Sequence, residues 1–178
     1  MKKLFFSFSA TAFLMIASIV TVRGQSNVVD VAMGSGDCSK LSEAIKNSGL
    51  SDKLSTGGPY TVFAPNNAAF ERMPAVEMNR LMKNKNAMSK LLACHIVGGT
   101  WNAALLMEAI KQNNGSVQLP TMGGGKLTAT VEEGKVKLTD ENGNSAFVVN
   151  SDITASNGIL HVIDGVVQPM QQTVTKKN

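Results

Sequence analysis

The chain has 178 residues, of which 43% are hydrophobic, enough for one domain with a sizeable core. Its formal charge of +4 includes Lys2, Lys3 and Arg23, and the remainder from Gln25 is near neutrality with 14 basic and 13 acidic residues. No Lys or Arg stripe with interleaved aromatics appears, which excludes nucleic acid as the expected partner.

Residues 1–24 read as a secretory signal: Lys2 and Lys3 form a charged start, Leu4 to Val20 is almost wholly apolar or small, and Gly24 offers a cleavage point before Gln25. The rival is an uncleaved anchor, since the apolar run approaches the length that spans a bilayer. Cleavage leaves a domain over 25–170 and a polar tail over 171–178, secreted or periplasmic, with membrane contact only through the signal before its removal.

From Asn27 to Leu54 the pattern is helical, broken by Gly34, Gly36 and Gly49. Asp37 or Ser39 can cap the middle helix, whose stripe Cys38, Leu41, Ala44 and Ile45 follows helical spacing. Gly57-Gly58-Pro59 turns the chain into a strand over Tyr60 to Ala64. Pro65 stops it, and Asn66 or Asn67 can cap a helix over Ala68 to Met73. Amphipathic helices follow at Ala75 to Lys83, with Met78, Leu81 and Met82 inward, and at Asn86 to Cys94, with Ala87, Leu91 and Cys94 inward. A further helix at Asn102 to Lys111 presents Leu105, Leu106, Ala109 and Ile110. After Gly115 the period changes to two, and strands are expected at Val117 to Leu119, Lys126 to Val131, Lys135 to Leu138, Ala146 to Val149 and Ile159 to Val167. Glu133-Gly134 and Asn142-Gly143 are the hairpin turns. A helical half followed by a sheet half is an α+β layout.

Two segments carry a family resemblance. YTVFAPNNAAF at Tyr60 to Phe70 and SDITASNGILHVIDGVVQP at Ser151 to Pro169 resemble the two signatures of the fasciclin domain, an extracellular adhesion and interaction module. The first keeps Thr61, Val62, Phe63, Ala64, Pro65, Asn67, Ala69 and Phe70 and departs at Asn66 and Ala68. The second keeps Asn157-Gly158, Ile159-Leu160, His161, Val162, Ile163 and Asp164, with Asn157-Gly158 as its turn and His161 as a hydrogen-bonded structural histidine. The resemblance runs from about Val28 to Met170. It implies a fasciclin-like fold, with N-terminal helices packed on a C-terminal β-rich sheet, and adhesion to a cell-surface or matrix protein or polysaccharide.

Between the signatures the family has a tyrosine-histidine pair ahead of an apolar strand; here Cys94-His95 precedes Ile96-Val97. The family also places a phenylalanine where Cys38 stands. Two cysteines at these positions, in an oxidising compartment, imply a Cys38–Cys94 disulfide; the alternative is two buried free thiols. Adhesive members engage integrins through an aspartate-isoleucine dipeptide and the tyrosine-histidine region, which maps binding residues onto Asp152, Ile153 and His95.

Catalytic material is sparse, and no enzyme activity, cofactor or metal is expected. There is no HExxH, CxxC or GxSxG. Gly123-Gly124-Gly125-Lys126 resembles a phosphate loop, but Leu127 stands where Ser or Thr is needed, so it reads as a mobile glycine turn. Asp140 to Asn144 resembles a calcium loop with its glycine misplaced and reads as a solvated hairpin. Asn114-Gly115-Ser116 fits a glycosylation acceptor. The methionines at 78, 82, 88 and 107 read as core filler, or as the lining of an apolar site. The second functional expectation is therefore a carrier of a lipid or pigment.

Overall fold

A computed structural model of the protein describes residues 26–170; the expected signal 1–24 and tail 171–178 lie outside the described residues. Among those described, no helix is long and apolar enough to cross a membrane.

Helix α1 (Val28–Gly34) opens on a capping box between Asn27 and Asp30, which satisfies free N–H groups of its first turn. Helix α2 (Ser39–Ser48) ends at Gly49, whose φ of 73° supplies the left-handed residue that closes a helix. Short α3 (Ser51–Thr56) leads to strand β1 (Tyr60–Pro65) and to α4 (Asn67–Glu71). Helices α5 (Ala75–Lys83), α6 (Lys85–Cys94) and α7 (Ala103–Gln112) fall where their periodicity puts them. Two expected inward residues are misplaced. Met82 and Leu105 are 41% and 51% exposed, while Met88 and Leu92 are buried. Helical spacing locates an apolar stripe, but the neighbours decide which edge of the stripe is covered.

The remaining strands are β2 (Ile96–Gly98), β3 (Ser116–Pro120), β4 (Lys126–Glu132), β5 (Lys135–Thr139), β6 (Ser145–Ala155) and β7 (Gly158–Ile163). The α+β class holds, with N-terminal helices packed on the sheet, but β1 and β2 from the helical half join that sheet. Its order is β2-β1-β7-β6-β5-β4-β3. β1 runs parallel to β7, from Tyr60 opposite Gly158 to Pro65 opposite Ile163, and antiparallel to β2. A bridge between Val97 and Thr121 brings the two ends of the strand order together.

This arrangement buries β1 and β7 on both faces. Val62, Ala64, Leu160 and Val162 pack into the core under α1, α2, α5 and α6. Phe63 and Ile163 join a second core with Leu106 and Ile110 of α7 and with Leu119, Leu127, Leu138 and Ala146. Strands covered on both sides need continuous rather than alternating apolar residues, which is why the two signatures are so apolar.

The turns differ in chemistry. Glu133 and Gly134 both have positive φ, 52° and 75°, as a primed hairpin requires. In the other expected hairpin only Gly143 does; there the Asp140 carboxylate accepts the N–H groups of Asn142 and Asn144 at 2.8 and 2.9 Å, an Asx turn. Asn157-Gly158 is not itself the loop either. Ala155 pairs with Gly158, so Ser156 and Asn157 make the turn and Gly158 begins β7. A Cβ on Gly158 would collide with the Tyr60 carbonyl oxygen and come within 2.9 Å of the Tyr60 nitrogen. Only glycine lets β7 approach β1 there.

Candidate functional site

The signature residues meet because β1 and β7 are neighbours, and their polar side chains are occupied in holding the frame. His161 is fully buried. Its Nε2 lies 2.7 Å from the Trp101 carbonyl, so Nε2 carries the proton, and its Nδ1 accepts the Asp152 N–H at 3.3 Å. The ring stacks on Phe63 at 5.5 Å between centroids. Burial pushes the His161 pKa below its ordinary value, against the opposing pull of the Trp101 carbonyl and Asp152. A neutral imidazole with both nitrogens engaged is a cross-link between β7, β6 and the loop before α7.

The asparagines act as helix caps, two of them across long sequence distances. Asn66 caps its own helix α4, accepting the Ala69 N–H at 2.8 Å. Asn67 reaches back to α2, accepting the Lys40 N–H at 3.0 Å and donating to the Gly36 carbonyl at 2.9 Å. The expected caps, Asp37 and Ser39, do not close α2 because Asn67 occupies that end. Asn157 accepts the Val28 N–H at 2.9 Å and donates to the Leu54 and Gly57 carbonyls at 2.7 and 2.8 Å. It thus ties α1 and α3 to the turn before β7. Thr61 donates to the Gly99 carbonyl and accepts the Trp101 N–H, each bond at an end of the β2–α7 loop. Asp164 accepts the Phe147 N–H at 2.7 Å, and its carbonyl accepts from Arg72. Phe70 is buried in the helical core, and Pro65 ends β1 opposite Ile163.

Asp152 lies at an irregularity of β6 with φ of 63°. One carboxylate oxygen accepts the Ala103 N–H of α7 at 2.8 Å. Asp152 is exposed, whereas Ile153 is half-buried against the helical core. His95 sits elsewhere, fully buried at the end of α6. Its Nδ1 lies 2.8 Å from the Leu91 carbonyl and its Nε2 accepts the Val167 N–H at 3.2 Å. Burial lowers its pKa to about 4, with the Leu91 carbonyl and Asp140 pulling the other way. Structure therefore does not bring His95 together with Asp152 and Ile153.

The expected Cys38–Cys94 bond is not formed; both cysteines are buried free thiols. Cys38 belongs to the α1–α2 core, while Cys94 faces Gly123, where an added Cβ would stand 2.7 Å from its Sγ. Each thiol fills its own cranny. Burial raises both pKa values, that of Cys94 to about 11 with help from Asp140 and Glu141, so neither is a ready nucleophile. The glycine turn at Cys94 is pinned: the Met122 and Gly123 N–H groups donate to the Ile96 and Ala93 carbonyls at 2.8 and 3.0 Å. Asp140, expected on a solvated hairpin, is only 7% exposed. Besides the turn it accepts from the Asn144 amide at 2.9 Å and from the Gln168 N–H at 2.7 Å. An aspartate two residues ahead of an Asn-Gly was the signal for this cap.

Two surface grooves are built mostly from residues outside the signatures, which contribute Phe70 to one and Gln168 and Pro169 to the other. One, of about 270 Å³, is lined by Ala44 of α2, Phe70 and Met73, Met78 and Met82 around α5, and Met88 of α6. The other, of about 330 Å³, runs along α5 and α6, with Arg80, Asn84, Asn86 and Lys90 facing Gln168 to Met170. The sequence signal for the second was a run without acidic residues between Glu77 and Glu108.

A fasciclin domain family model matches residues 36–169. The chain is 40% identical over 144 residues to protein sll1483 of Synechocystis, covering 80% of this chain and 73% of that protein. It is 33% identical over 142 residues to the transforming growth factor-beta-induced protein ig-h3 of Sus scrofa, covering 80% of this chain but only 19% of that protein. To the immunogenic protein MPT70 of Mycobacterium tuberculosis it is 32% identical over 120 residues, 67% of this chain and 54% of that protein. Among solved structures, the FAS1 domain pair of the insect cell adhesion molecule fasciclin I aligns with a TM-score of 0.67 at 20% identity, covering 81% of this chain and 51% of that one.

Proposed function

The chain belongs to the fasciclin-domain family, and from that membership we propose that it is a non-catalytic, extracytoplasmic binding module that attaches cells or envelope material through protein or polysaccharide contacts. The observation that carries this reading is where the polar side chains of the signatures, and His95 between them, are spent. His95 and His161 are buried with both ring nitrogens bonded to backbone, and Asn67 and Asn157 cap distant helices. Conserving hydrogen-bonding capacity for the frame supports a rigid display scaffold whose recognition is carried by its outer surface. Asp152 contributes there only through the part of its carboxylate that Ala103 leaves open. The test presents immobilised protein to cell-envelope, matrix-protein and glycan preparations. Saturable retention without turnover of ester, peptide or glycoside substrates is the expected result, and retention of none of them overturns the reading.

A second reading rests on the methionine-lined groove. Four thioethers and Phe70 around about 270 Å³ form an adaptable apolar surface suited to one end of a lipid or pigment. Solvent extraction of protein purified from its own source would yield such a molecule. A clean extract, together with no uptake of fatty acids or carotenoids, removes this reading.

A further inference from the structure

The α5–α6 surface differs from the rest of this near-neutral chain. Between Glu77 and Glu108 there is no acidic residue and there are four basic ones, Arg80, Lys83, Lys85 and Lys90. The tertiary structure does not neutralise them by bringing carboxylates across. All four are exposed, and among the described residues only Arg80 has an ion-pair partner, Glu77. That pair aligns the guanidinium, with Nε 2.9 Å from the carboxylate, and Arg80 with Lys90 lines the groove of about 330 Å³. Glu77 lines the same groove, held by Arg80. Between Arg80 and Lys90 the groove carries the amides of Asn84, Asn86 and Gln168, with Leu81, Ala87 and Leu91 as its apolar floor and the exposed Met170 at its edge. Lys85 extends the positive surface toward α2, its ammonium lying beside Gly49, and Lys83 stands at the corner between the helices.

We propose that this surface binds an acidic polysaccharide, with Arg80, Lys83, Lys85 and Lys90 meeting carboxylate or sulfate groups along the polymer and the groove holding a sugar unit. The proposal rests on the adhesive reading and gives it a partner class. Cations at intervals satisfy a repeating anion, side-chain amides satisfy hydroxyls, and the apolar floor takes the aliphatic face of a sugar ring. A neutral glycan would leave Lys83, Lys85 and Lys90 without a partner, and a compact apolar ligand would leave the Asn86 and Gln168 amides unsatisfied. The three lysines, exposed and without an ion-pair partner among the described residues, also make association fast and salt-sensitive, because binding releases counterions from the polyanion.

The experiment measures retention of polygalacturonate, dextran sulfate and neutral dextran by the protein from residue 25 onward, over a range of salt. Two variants are compared: Lys83→Gln with Lys85→Gln and Lys90→Gln, and the control Lys111→Gln with Lys135→Gln, exposed lysines of α7 and β5 that do not line the groove. Expected are binding of the two acidic polymers but not of dextran, a loss of about tenfold or more with a shallower salt dependence in the triple variant, and little change in the control. Matching thermal midpoints show that the triple variant is folded, as substitutions of exposed lysines should leave it. Equal losses in both variants, equal binding of neutral dextran, or tighter binding of duplex DNA or phosphatidylglycerol vesicles overturns the proposal. If the wild type retains an envelope or matrix protein but no glycan, this inference falls and the adhesive reading stands; if it retains nothing, the adhesive reading falls.

Discussion

Acid should destabilise this protein through His95 at a pH where most carboxylates remain ionised. The ring is fully buried, donates to the Leu91 carbonyl, accepts from the Val167 N–H, and has its pKa lowered to about 4. In the unfolded chain the same group titrates near the ordinary histidine value of 6.5. Between those two values the unfolded state binds more protons than the folded state, so stability rises with pH and is lost as pH falls through this window. For one site with these two pKa values, going from about pH 7 to about pH 5 removes about 2 kcal/mol. The whole contribution, about 3 kcal/mol, is gone below about pH 4. Urea unfolding at these pH values measures it, with His95→Gln as comparator, since its amide can donate and accept but does not titrate. The variant should be less stable at neutral pH yet lose about 2 kcal/mol less than wild type on acidification. Equal losses in the two proteins would refute the argument, because the acid sensitivity would then belong to other groups such as His161.

Three further outcomes follow from the geometry. Asn157→Ala removes the bonds to Val28, Leu54 and Gly57 and should cost about 2–4 kcal/mol in urea unfolding, whereas Asn113→Ala, at an exposed bond to Ala109, should stay within about 1 kcal/mol. Gly158→Ala places a methyl group against the Tyr60 carbonyl and should abolish soluble folded protein; Gly143→Ala, with nothing within 4 Å but a φ of 86°, should cost only about 1 kcal/mol. Both thiols should resist alkylation in the native state and react after unfolding, with no mass change on reduction; a native chain about two mass units light would restore the Cys38–Cys94 bond.

Local chemistry made much of this protein legible in its sequence. Glycines and asparagines marked where α1, α2 and α4 start or stop, because capping and positive φ are properties of a few residues. The change of period after Gly115 located β3, β4 and β5. The signatures implied the family, and the structural role of His161 was legible in the apolar strand around it. The candidate binding residues were not. Asp152 and His95 were grouped by analogy, but one lies at an irregularity of β6 and the other under α6. The basic surface on α5 and α6 was passed over because net charge is summed along the chain, whereas a patch depends on which carboxylates the fold brings near.

What the sequence determined by itself was therefore most of the helices, the hairpin strands β3 to β5 and the two apolar signature strands, but not every end: β6, expected to stop at Val149, runs to Ala155, and β7, expected to reach Val167, stops at Ile163. What only the tertiary structure decided was pairing across distance: β1 beside β7, Asn67 on α2, Asn157 on α1 and α3, Asp140 on Gln168, and the two cysteines apart. Helix spacing and turn preference are set by neighbours within about four residues. A buried hydrogen bond or a thiol's partner depends instead on which segments pack together, and that choice belongs to the whole chain at once.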